Sequence, residues 1–507
     1  MSDPAIGALR QRGQALTEEV SREYYLAHAG LRATAELQPI YARYADILNE
    51  DTLALVRDRF RESPDGSEER RGARLLLEWQ IESQVHRVLA PLDEREIAWE
   101  STAELRLADG RRMSFQRAPI EIANATDRAE RLTIERARAA LVASELAPLR
   151  QERFQREKDY VESLGIAPGY VASFVATSGI DLPALVAECE QFLRDTRAMW
   201  DEVFADVVRS KLEIDPADAT RSDALALLRA PEYDRYFPSA SMEREVRRQV
   251  AEMGIDAAAG GRVRYDTGER EGKRARAFCA PLRVPEEVYL VLRPHGGQAD
   301  YRTLLHELGH ALHFGNARPD YPFEYRWLGD NSVTEAYAML FDHLLHDAGW
   351  LSRYTDLGRA QMPGFLNAVG FEELQFLRRY CAKLIYEFAL YSGDAPWRAL
   401  PDLYVETLTG ATSFRYDPAD AFVDVDPHFY AARYLRAWQL QALIADELTD
   451  RFDEDWYRNP RAGPWMVEHL LGEGQRELGH ELAERTTGRP LSFAPLVRAT
   501  EALLVAS

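Results

Sequence analysis

Residues 303–313 carry the clearest chemistry, because they contain the pattern His-Glu-x-x-His. The histidines are His306 and His310, and the glutamate is Glu307. Apolar residues recur around them at helical spacing, and residues four apart lie on one face of a helix. Two imidazole nitrogens can then bind one ion with Glu307 beside them, so the pattern predicts one Zn²⁺ per chain. The alternative is an amphipathic helix whose two histidines are purely structural.

A third metal ligand is expected, since hydrolytic zinc sites usually have three protein ligands and leave one position for water. Glu335 is the leading candidate, because it lies in a second predicted helix that runs from about residue 332 to residue 348. Glu324 is a rival in the connection before that helix. Ser332 and Glu335 also match a capping box, in which Glu335 would bind a backbone N–H at the helix start instead.

Two further residues near the motif are assigned by helix geometry. His313 lies two turns beyond His306, about 10 Å along the helix axis, so we do not expect it to share the ion. Asp342 lies seven residues after Glu335 on the same predicted helix. It is a candidate to accept the second N–H of a ligating histidine, or else it is a solvent-exposed helix residue with no such role.

A cluster of polar aromatic residues at 426–434 contains His428, Tyr430 and Tyr434. Hydrolysis of a peptide builds negative charge on its carbonyl oxygen, and a histidine N–H or tyrosine hydroxyl aimed there stabilises that charge. These three residues could supply such a donor. The same cluster is also typical of a helix start with packed aromatic side chains.

Composition limits the class of protein. The 507 residues are 46% hydrophobic, and the length suggests two lobes or subdomains. The 83 acidic and 62 basic residues give a net charge of −21, which works against nucleic-acid binding. The sequence shows no apolar run of membrane-spanning length, no N-terminal secretion signal and only three separated cysteines. We therefore expect a cytoplasmic protein with no membrane or nucleic-acid partner.

The periodicity predicts a mainly α-helical fold with two small β elements. Asp109-Gly110 between alternating segments predicts a hairpin in the N-terminal part. Three short segments rich in β-forming residues, at 262–265, 275–279 and 288–293, predict a small antiparallel sheet just before the metal helix. An edge strand there could pair with the extended backbone of a peptide, or the sheet could only brace the helix.

Four segments in order resemble the thimet oligopeptidase and oligoendopeptidase F family of zinc peptidases, more closely oligoendopeptidase F. They are residues 272–279, the metal motif with its following residues to 313, Glu335 at the family's spacing, and the run Pro-His-Phe-Tyr at 427–430. The resemblance covers about residues 260–434. Over the N-terminal part, it extends only to helical character and length.

The resemblance implies a two-lobed helical zinc-peptidase fold with a deep central channel, comprising an N-terminal lobe over residues 1–190 and a catalytic region over residues 191–507. It implies an oligoendopeptidase that cuts internal bonds of short unstructured peptides with a zinc-activated water. In this reading, His306, His310 and Glu335 bind zinc and Glu307 activates the water. His428 and a tyrosine stabilise the transition state, with Tyr434 favoured over Tyr430. The alternatives are a zinc carboxypeptidase of similar build and an inactive peptide-binding protein; the oligomeric state is left open.

Overall fold

A computed structural model of the chain describes residues 4–32, 35–270, 272–274, 277–393 and 395–505. The prediction of a mainly helical fold is confirmed, since 73% of the structure is helix and 5% is strand. No single described helix is long and apolar enough to cross a membrane. The helices Tyr170–Ser178 and Leu182–Asp195, bent by 97° at the break between them, meet that test only as a pair.

The elements follow one another along the chain with short connections. The helices are α1 (Pro4–His28), α2 (Leu37–Arg43), α3 (Glu50–Glu62), α4 (Glu68–Thr102), α5 (Ala118–Asn124), α6 (Arg128–Leu141), α7 (Ala147–Ser163), α8 (Tyr170–Ser178), α9 (Leu182–Asp195), α10 (Arg197–Val207), α11 (Arg221–Arg229), α12 (Ser239–Glu252), α13 (Gln298–Asn316), α14 (Phe323–Trp327), α15 (Asn331–Asp342), α16 (Ala348–Tyr354), α17 (Met362–Ser392), α18 (Leu400–Thr412), α19 (Tyr430–Phe452), α20 (Ala462–His469), α21 (Gly479–Thr487) and α22 (Ala494–Val505). The strands are β1 (Glu104–Arg106), β2 (Arg112–Ser114), β3 (Val263–Asp266), β4 (Phe278–Arg283) and β5 (Glu287–Val291).

The chain forms two compact units, and each is built from three separate segments. Unit 1 comprises Met1–Gln84, Tyr233–Pro363 and Arg436–Leu496. Unit 2 comprises Val85–Glu232, Gly364–Leu435 and Val497–Ser507. The predicted boundary between residues 190 and 191 assumed two consecutive regions, and it does not coincide with a boundary of either unit.

Unit 1 contains the small sheet before the metal helix, with strand order β3-β5-β4. The prediction of an antiparallel sheet is wrong in one respect: β4 pairs antiparallel with β5, but β3 pairs with β5 in parallel. A short turn joins β4 to β5 and forces their antiparallel pairing, whereas β3 reaches β5 through a connection long enough for a parallel crossover. β4 begins at Phe278, and Ala275 and Arg276, where its predicted start falls, lie outside the described residues.

The connection between β3 and β4 is held by a buried lysine. The side chain of Lys273 is 0% exposed. Its Nζ donates to the backbone oxygens of Asp266 at 2.8 Å, Gly268 at 2.8 Å and Leu292 at 2.9 Å. It also lies 3.1 Å from the Asp266 carboxylate. One ammonium group therefore joins the ends of β3 and β5 to the segment that leads into β4.

Unit 2 contains the predicted hairpin, which is confirmed. β1 pairs antiparallel with β2, with Leu105 opposite Met113, and Gly110 has a φ of 87° in the turn between them. A positive φ is accessible to glycine without steric cost. Leu105 packs with buried residues of α5 and α6, including Ile122 and Ile134. The hairpin is thus part of the core of this unit.

Candidate metal centre

Helices α13 and α15 of unit 1 pack against each other at a glycine. A Cβ atom at Gly309 would lie 2.5 Å from both the Cα of Ala338 and the backbone oxygen of Tyr337. No side chain fits at such a distance, so Gly309 permits the two backbones to approach closely. This contact sets the separation between the motif on α13 and the face of α15 that carries Glu335.

His306, His310 and Glu335 meet between these two helices. One ligand atom from each lies within 4.8 Å of the others. Oε2 of Glu335 is 3.4 Å from Nε2 of His306 and 3.6 Å from Nε2 of His310. These distances exceed an ordinary hydrogen bond, and they match the separation of about 3.3 Å between ligand atoms in a tetrahedral zinc site. The three residues could therefore hold a metal ion.

The other ring nitrogen of each histidine has its own hydrogen-bond partner on α15. Nδ1 of His306 lies 2.8 Å from Oδ2 of Asp342, which is where the sequence hypothesis expects this carboxylate. Nδ1 of His310 lies 2.9 Å from the hydroxyl oxygen of Thr334. The carboxylate can only accept, so His306 donates through Nδ1–H. Contacts of this kind fix the ring orientation and direct Nε2 of each histidine towards the ion.

The surroundings of the centre shift the pKa values of His306 and His310 in opposite directions. Burial alone lowers the pKa of His306, but Asp342 and Glu335 outweigh it and hold that pKa well above the ordinary value. Burial lowers the pKa of His310 to about 4, against the attraction of Glu335. Burial also opposes the ionisation of Asp342, yet His343 and His306 outweigh it and hold the carboxyl pKa below its usual value. The centre thus contains an anionic carboxylate, that of Asp342, next to a proposed metal ligand.

Glu307 is held by the edge strand of the sheet. Its carboxylate oxygen Oε2 accepts the backbone N–H of Cys279 at 2.7 Å. Cys279 lies in β4, which pairs with β5 along its other edge. The outer edge of β4 therefore faces the residue that follows the first metal ligand. A carboxylate fixed there is suited to accept a proton beside the ion.

Two alternatives from the sequence analysis are wrong: a capping-box role for Glu335, and Glu324 as the third ligand. The N-cap of α15 is Asp330, whose side chain accepts the backbone N–H of Ser332 at 3.0 Å, so the helix start does not use a capping box with Glu335. Glu324 is buried in α14 and accepts two contacts from Nε of Arg10 at 2.9 and 3.0 Å. Its charge is committed to that ion pair, which excludes it as the rival ligand.

His313 lies on α13 but does not belong to the ligand group. This agrees with the sequence analysis, which did not expect it to share the ion. It is 0% exposed, and its ring packs on Phe314 and Tyr337 with centroid distances of 5.2 and 4.9 Å. Burial lowers the pKa of His313 to about 4. It is therefore a neutral core residue at pH 7.

His428 lies in a short 3₁₀ turn of unit 2, just before α19. His428 and Phe429 both have positive φ, 56° and 52°, which is a strained conformation for residues other than glycine. The hydroxyl of Tyr170 donates to Glu157 at 2.5 Å and lies 3.1 Å from Nδ1 of His428. The hydroxyl has one hydrogen, so its oxygen accepts from Nδ1–H of His428. Burial lowers the pKa of His428 to about 3, so the ring is neutral at pH 7.

Tyr430 and Tyr434 begin α19, and their rings contact each other at a centroid distance of 4.9 Å. Tyr434 also contacts Tyr380 at 5.5 Å. Both tyrosines and His428 belong to unit 2, whereas the three residues that could hold a metal ion belong to unit 1. The assignment of these three residues to transition-state stabilisation therefore stays a prediction from the resemblance.

Several residues of the centre were not predicted from the sequence. Gly309 stands inside the motif, and a glycine in a predicted helix interior is the signal that a close approach is needed. The hydroxyl of Thr334, the N–H of Cys279 and the imidazole of His343 carry no comparable signal. Their roles depend on which helix and strand faces meet, and periodicity does not give those pairings.

No protein-family model matches the chain, and no curated protein matches it either. A function for this chain is therefore argued from the residues and the geometry of the centre.

Proposed function

We propose that this protein is a zinc-dependent oligoendopeptidase that hydrolyses internal bonds of short unstructured peptides. The observation that carries the proposal is the group of three ligand atoms from His306, His310 and Glu335. Glu307 follows His306 directly in the sequence. Two histidines and a glutamate are a donor set of hydrolytic zinc sites. The resemblance to the oligoendopeptidase F family supports the same reading.

Zinc fits these residues better than the common alternatives. Calcium and magnesium prefer six or more oxygen ligands, whereas this group offers two imidazole nitrogens and one carboxylate. The separations of 3.4 and 3.6 Å between the nitrogens and Oε2 suit a four-coordinate ion with one position left for water. A His-rich set of this size also binds other transition metals, so zinc is the part of the proposal that metal analysis tests.

The chemistry of the chain's own residues follows from the position of Glu307. A bound zinc ion would act as a Lewis acid towards a water molecule and the carbonyl oxygen of the substrate. Glu307 accepts a proton from the water as the water oxygen adds to the carbonyl carbon of the substrate. Glu307 then passes that proton to the amine nitrogen as the peptide bond breaks. The N–H of Cys279 keeps the carboxylate in place during both transfers.

The substrate is proposed to bind as an added strand. β4 is an edge strand, and the N–H of Cys279 shows that its outer edge faces Glu307. An extended peptide that pairs with such an edge places a backbone carbonyl near the metal centre. This mode requires a peptide without structure of its own, which is why we propose short unstructured peptides as the substrate class.

The resemblance supplies the remaining parts of the proposal. It assigns His428 and Tyr434, or Tyr430 in its place, to the carbonyl oxygen as negative charge develops there. It also suggests two lobes with a deep channel that admits peptides and excludes folded proteins. Cytoplasmic residence and the lack of nucleic-acid or membrane partners remain expectations from charge and composition.

The test is cleavage of a mixed library of short peptides, with both ends chemically blocked in half of its members. The products are identified by mass spectrometry with and without a zinc chelator. We expect internal cuts in the blocked peptides that stop with chelator and return with added zinc. Removal of single C-terminal residues from unblocked peptides alone would indicate a carboxypeptidase. A metal content near zero together with no cleavage of any peptide would support the inactive peptide-binding alternative.

A further inference from the structure

Asp342 contacts a second imidazole in addition to that of His306. Nδ1 of His343 lies 2.6 Å from Oδ1 of Asp342, while Nδ1 of His306 lies 2.8 Å from Oδ2. A carboxylate only accepts, so both imidazoles donate through Nδ1–H. Each oxygen of this carboxylate is thus used by a different histidine, and one of those histidines is a proposed metal ligand.

We propose that His343 is a positioning residue of the metal centre, which acts through Asp342 to fix His306 for metal binding. The proposal rests on the proposed function in that it takes His306 as a zinc ligand. It adds a residue that neither the motif nor the resemblance contains. His343 itself does not belong to the ligand group of His306, His310 and Glu335.

The physical basis is the rotation of the carboxylate. The torsion that turns an aspartate carboxylate about its Cβ–Cγ bond is broad, so one hydrogen bond leaves its plane weakly determined. A second donor on the other oxygen fixes that plane. With Oδ1 held by His343, Oδ2 stays in line with Nδ1–H of His306, and Nε2 of His306 stays directed towards the ion.

His343 is itself well placed to act as an anchor. It is the C-cap residue of α15, where its backbone N–H donates to carbonyl oxygens of the last helical turn. Its side chain is only 14% exposed. Its ring also lies against that of His346, with a centroid distance of 4.4 Å. Backbone and ring contacts therefore restrict the imidazole that holds Asp342.

His343 also has an opposite effect on the metal centre, and the relative size of the two effects decides whether His343 strengthens or weakens metal binding. A second donor draws charge from Asp342 and so weakens the polarisation of His306, which would loosen metal binding. Such mutual effects of neighbouring hydrogen bonds amount to about 10–30% of a bond. Loss of the direct outer partner of a metal ligand, here Asp342, typically costs about 10- to 100-fold in metal affinity, and loss of its alignment should cost the lower end of that range. Positioning therefore outweighs polarisation, and His343 should strengthen metal binding.

The test is the equilibrium Kd for zinc, measured by competition with a chelator of known affinity, on the full-length chain. His343→Phe keeps the ring and removes the donor. His343→Asn places an amide N–H where Nδ1 stands, and His343→Gln carries the same amide one carbon further, out of reach of Oδ1. His346→Phe is the matched control in the same turn. The melting temperature of each metal-free variant reports structural damage separately.

We expect His343→Phe and His343→Gln to raise the zinc Kd about 10-fold, and His343→Asn and His346→Phe to stay within about 2-fold of the wild type. In the Asp342→Asn background, His343→Phe should cause no further loss of zinc affinity, because the two residues act through the same series of hydrogen bonds. If His343→Phe does not fold, the zinc Kd of His343→Gln compared with that of His343→Asn tests the proposal by itself.

Two outcomes would contradict different claims. A zinc Kd within 2-fold of wild type for both Phe and Gln, or equal losses for Gln and Asn, overturns the positioning role while the zinc site stands. A wild-type protein that binds no zinc overturns the proposed function instead. A lower melting temperature without a change in Kd would assign His343 to stability alone.

Discussion

The two histidines of the proposed zinc site differ in the residue that contacts their Nδ1 atom. His306 donates to a carboxylate, that of Asp342, whereas His310 contacts the hydroxyl of Thr334. Hydrogen bonds to an ionised acceptor are roughly twice as strong as neutral ones. His306 is therefore the more firmly oriented and more basic ligand, and the centre should be more sensitive to changes around Asp342 than around Thr334.

His313 gives a pH prediction that does not involve the metal. Its pKa is about 4 in the folded chain, against about 6.5 when exposed. Below pH 6.5 the unfolded chain binds a proton that the folded chain does not, so stability falls with pH down to about 4. The loss should be on the order of 3 kcal/mol. We expect the melting temperature of the wild type to fall more steeply between pH 7 and pH 4.5 than that of His313→Phe.

The control for this measurement is His295→Gln, at an exposed position. Its melting temperature should follow the wild type over the same pH range. Parallel pH curves for His313→Phe and the wild type would contradict the neutral, buried state of His313.

Tyr434 is the residue whose proposed role depends most on the resemblance. If its hydroxyl stabilises the carbonyl oxygen in the transition state, Tyr434→Phe should lower kcat by about 100-fold with a smaller change in KM. Tyr430→Phe, four residues earlier on the same helix, tests the alternative assignment, and its kcat should stay close to that of the wild type if Tyr434 has the role. Steady-state kinetics on a blocked peptide measures both. An unchanged kcat for Tyr434→Phe would assign the role to Tyr430 or to no tyrosine.

Spacing within one helix explains which site residues could be predicted from the sequence. His306 and His310 lie four residues apart, so their shared face follows from helix geometry alone. Glu335 was one of two candidates until the ion pair of Glu324 with Arg10 removed the other. Thr334 was not predicted, because its contact with His310 depends on how α15 is rotated against α13. His343 contacts its neighbour Asp342, and it was not predicted because helical periodicity does not show which way a side chain at a helix end turns.

At the scale of elements, the close packing of α13 and α15 depends on Gly309. An alanine in a helix interior normally stabilises it by about 1 kcal/mol relative to glycine. Here the added Cβ would lie 2.5 Å from the backbone of Ala338, so the helices must move apart. We expect Gly309→Ala to lower the melting temperature and to raise the zinc Kd at least about 10-fold, because Glu335 moves with α15.

Gly410 in α18 is the matched control, since a Cβ there would meet nothing within 4 Å. Gly410→Ala should leave the zinc Kd unchanged and keep or raise the melting temperature. Equal zinc affinity in Gly309→Ala and the wild type would show that the helix spacing does not govern the metal site.

Lys273 gives a second prediction for the elements around the centre. Its buried ammonium binds three backbone oxygens at 2.8–2.9 Å, and methionine has no donor for them. Lys273→Met should reduce stability by roughly 3–5 kcal/mol, because three buried carbonyl oxygens lose a donor and the Asp266 carboxylate keeps only Arg270 as a cationic partner. Thermal unfolding measures this, with the exposed Lys211→Met as control. A melting temperature equal to the wild type would contradict the role of Lys273.

The sheet shows where prediction of elements from the sequence stops. The positions of β3 and β5 followed from β-forming residues between turns, but their parallel pairing did not. The continuous apolar run of β5, with Val288, Leu290 and Val291 all buried, is typical of a central strand. That run was the available signal that β5 lies between the other two strands.

At the scale of the whole molecule, composition and periodicity predicted the helical class but not the division of the chain. Each compact unit combines three separate segments, so neighbours in space are often distant in sequence. Arg10 and Glu324 illustrate this, since they form an ion pair across 314 residues. Helical periodicity shows which face of a helix is buried, but not which segment covers it.

We propose that Glu307 is the proton acceptor of a zinc peptidase whose ligands are His306, His310 and Glu335. The most direct test compares wild type and Glu307→Gln for zinc content and for cleavage of an end-blocked peptide in the same samples. We predict one zinc per chain in both proteins, with turnover reduced at least about 10³-fold in the variant. Near wild-type turnover by zinc-loaded Glu307→Gln would contradict the role of Glu307 as the proton acceptor.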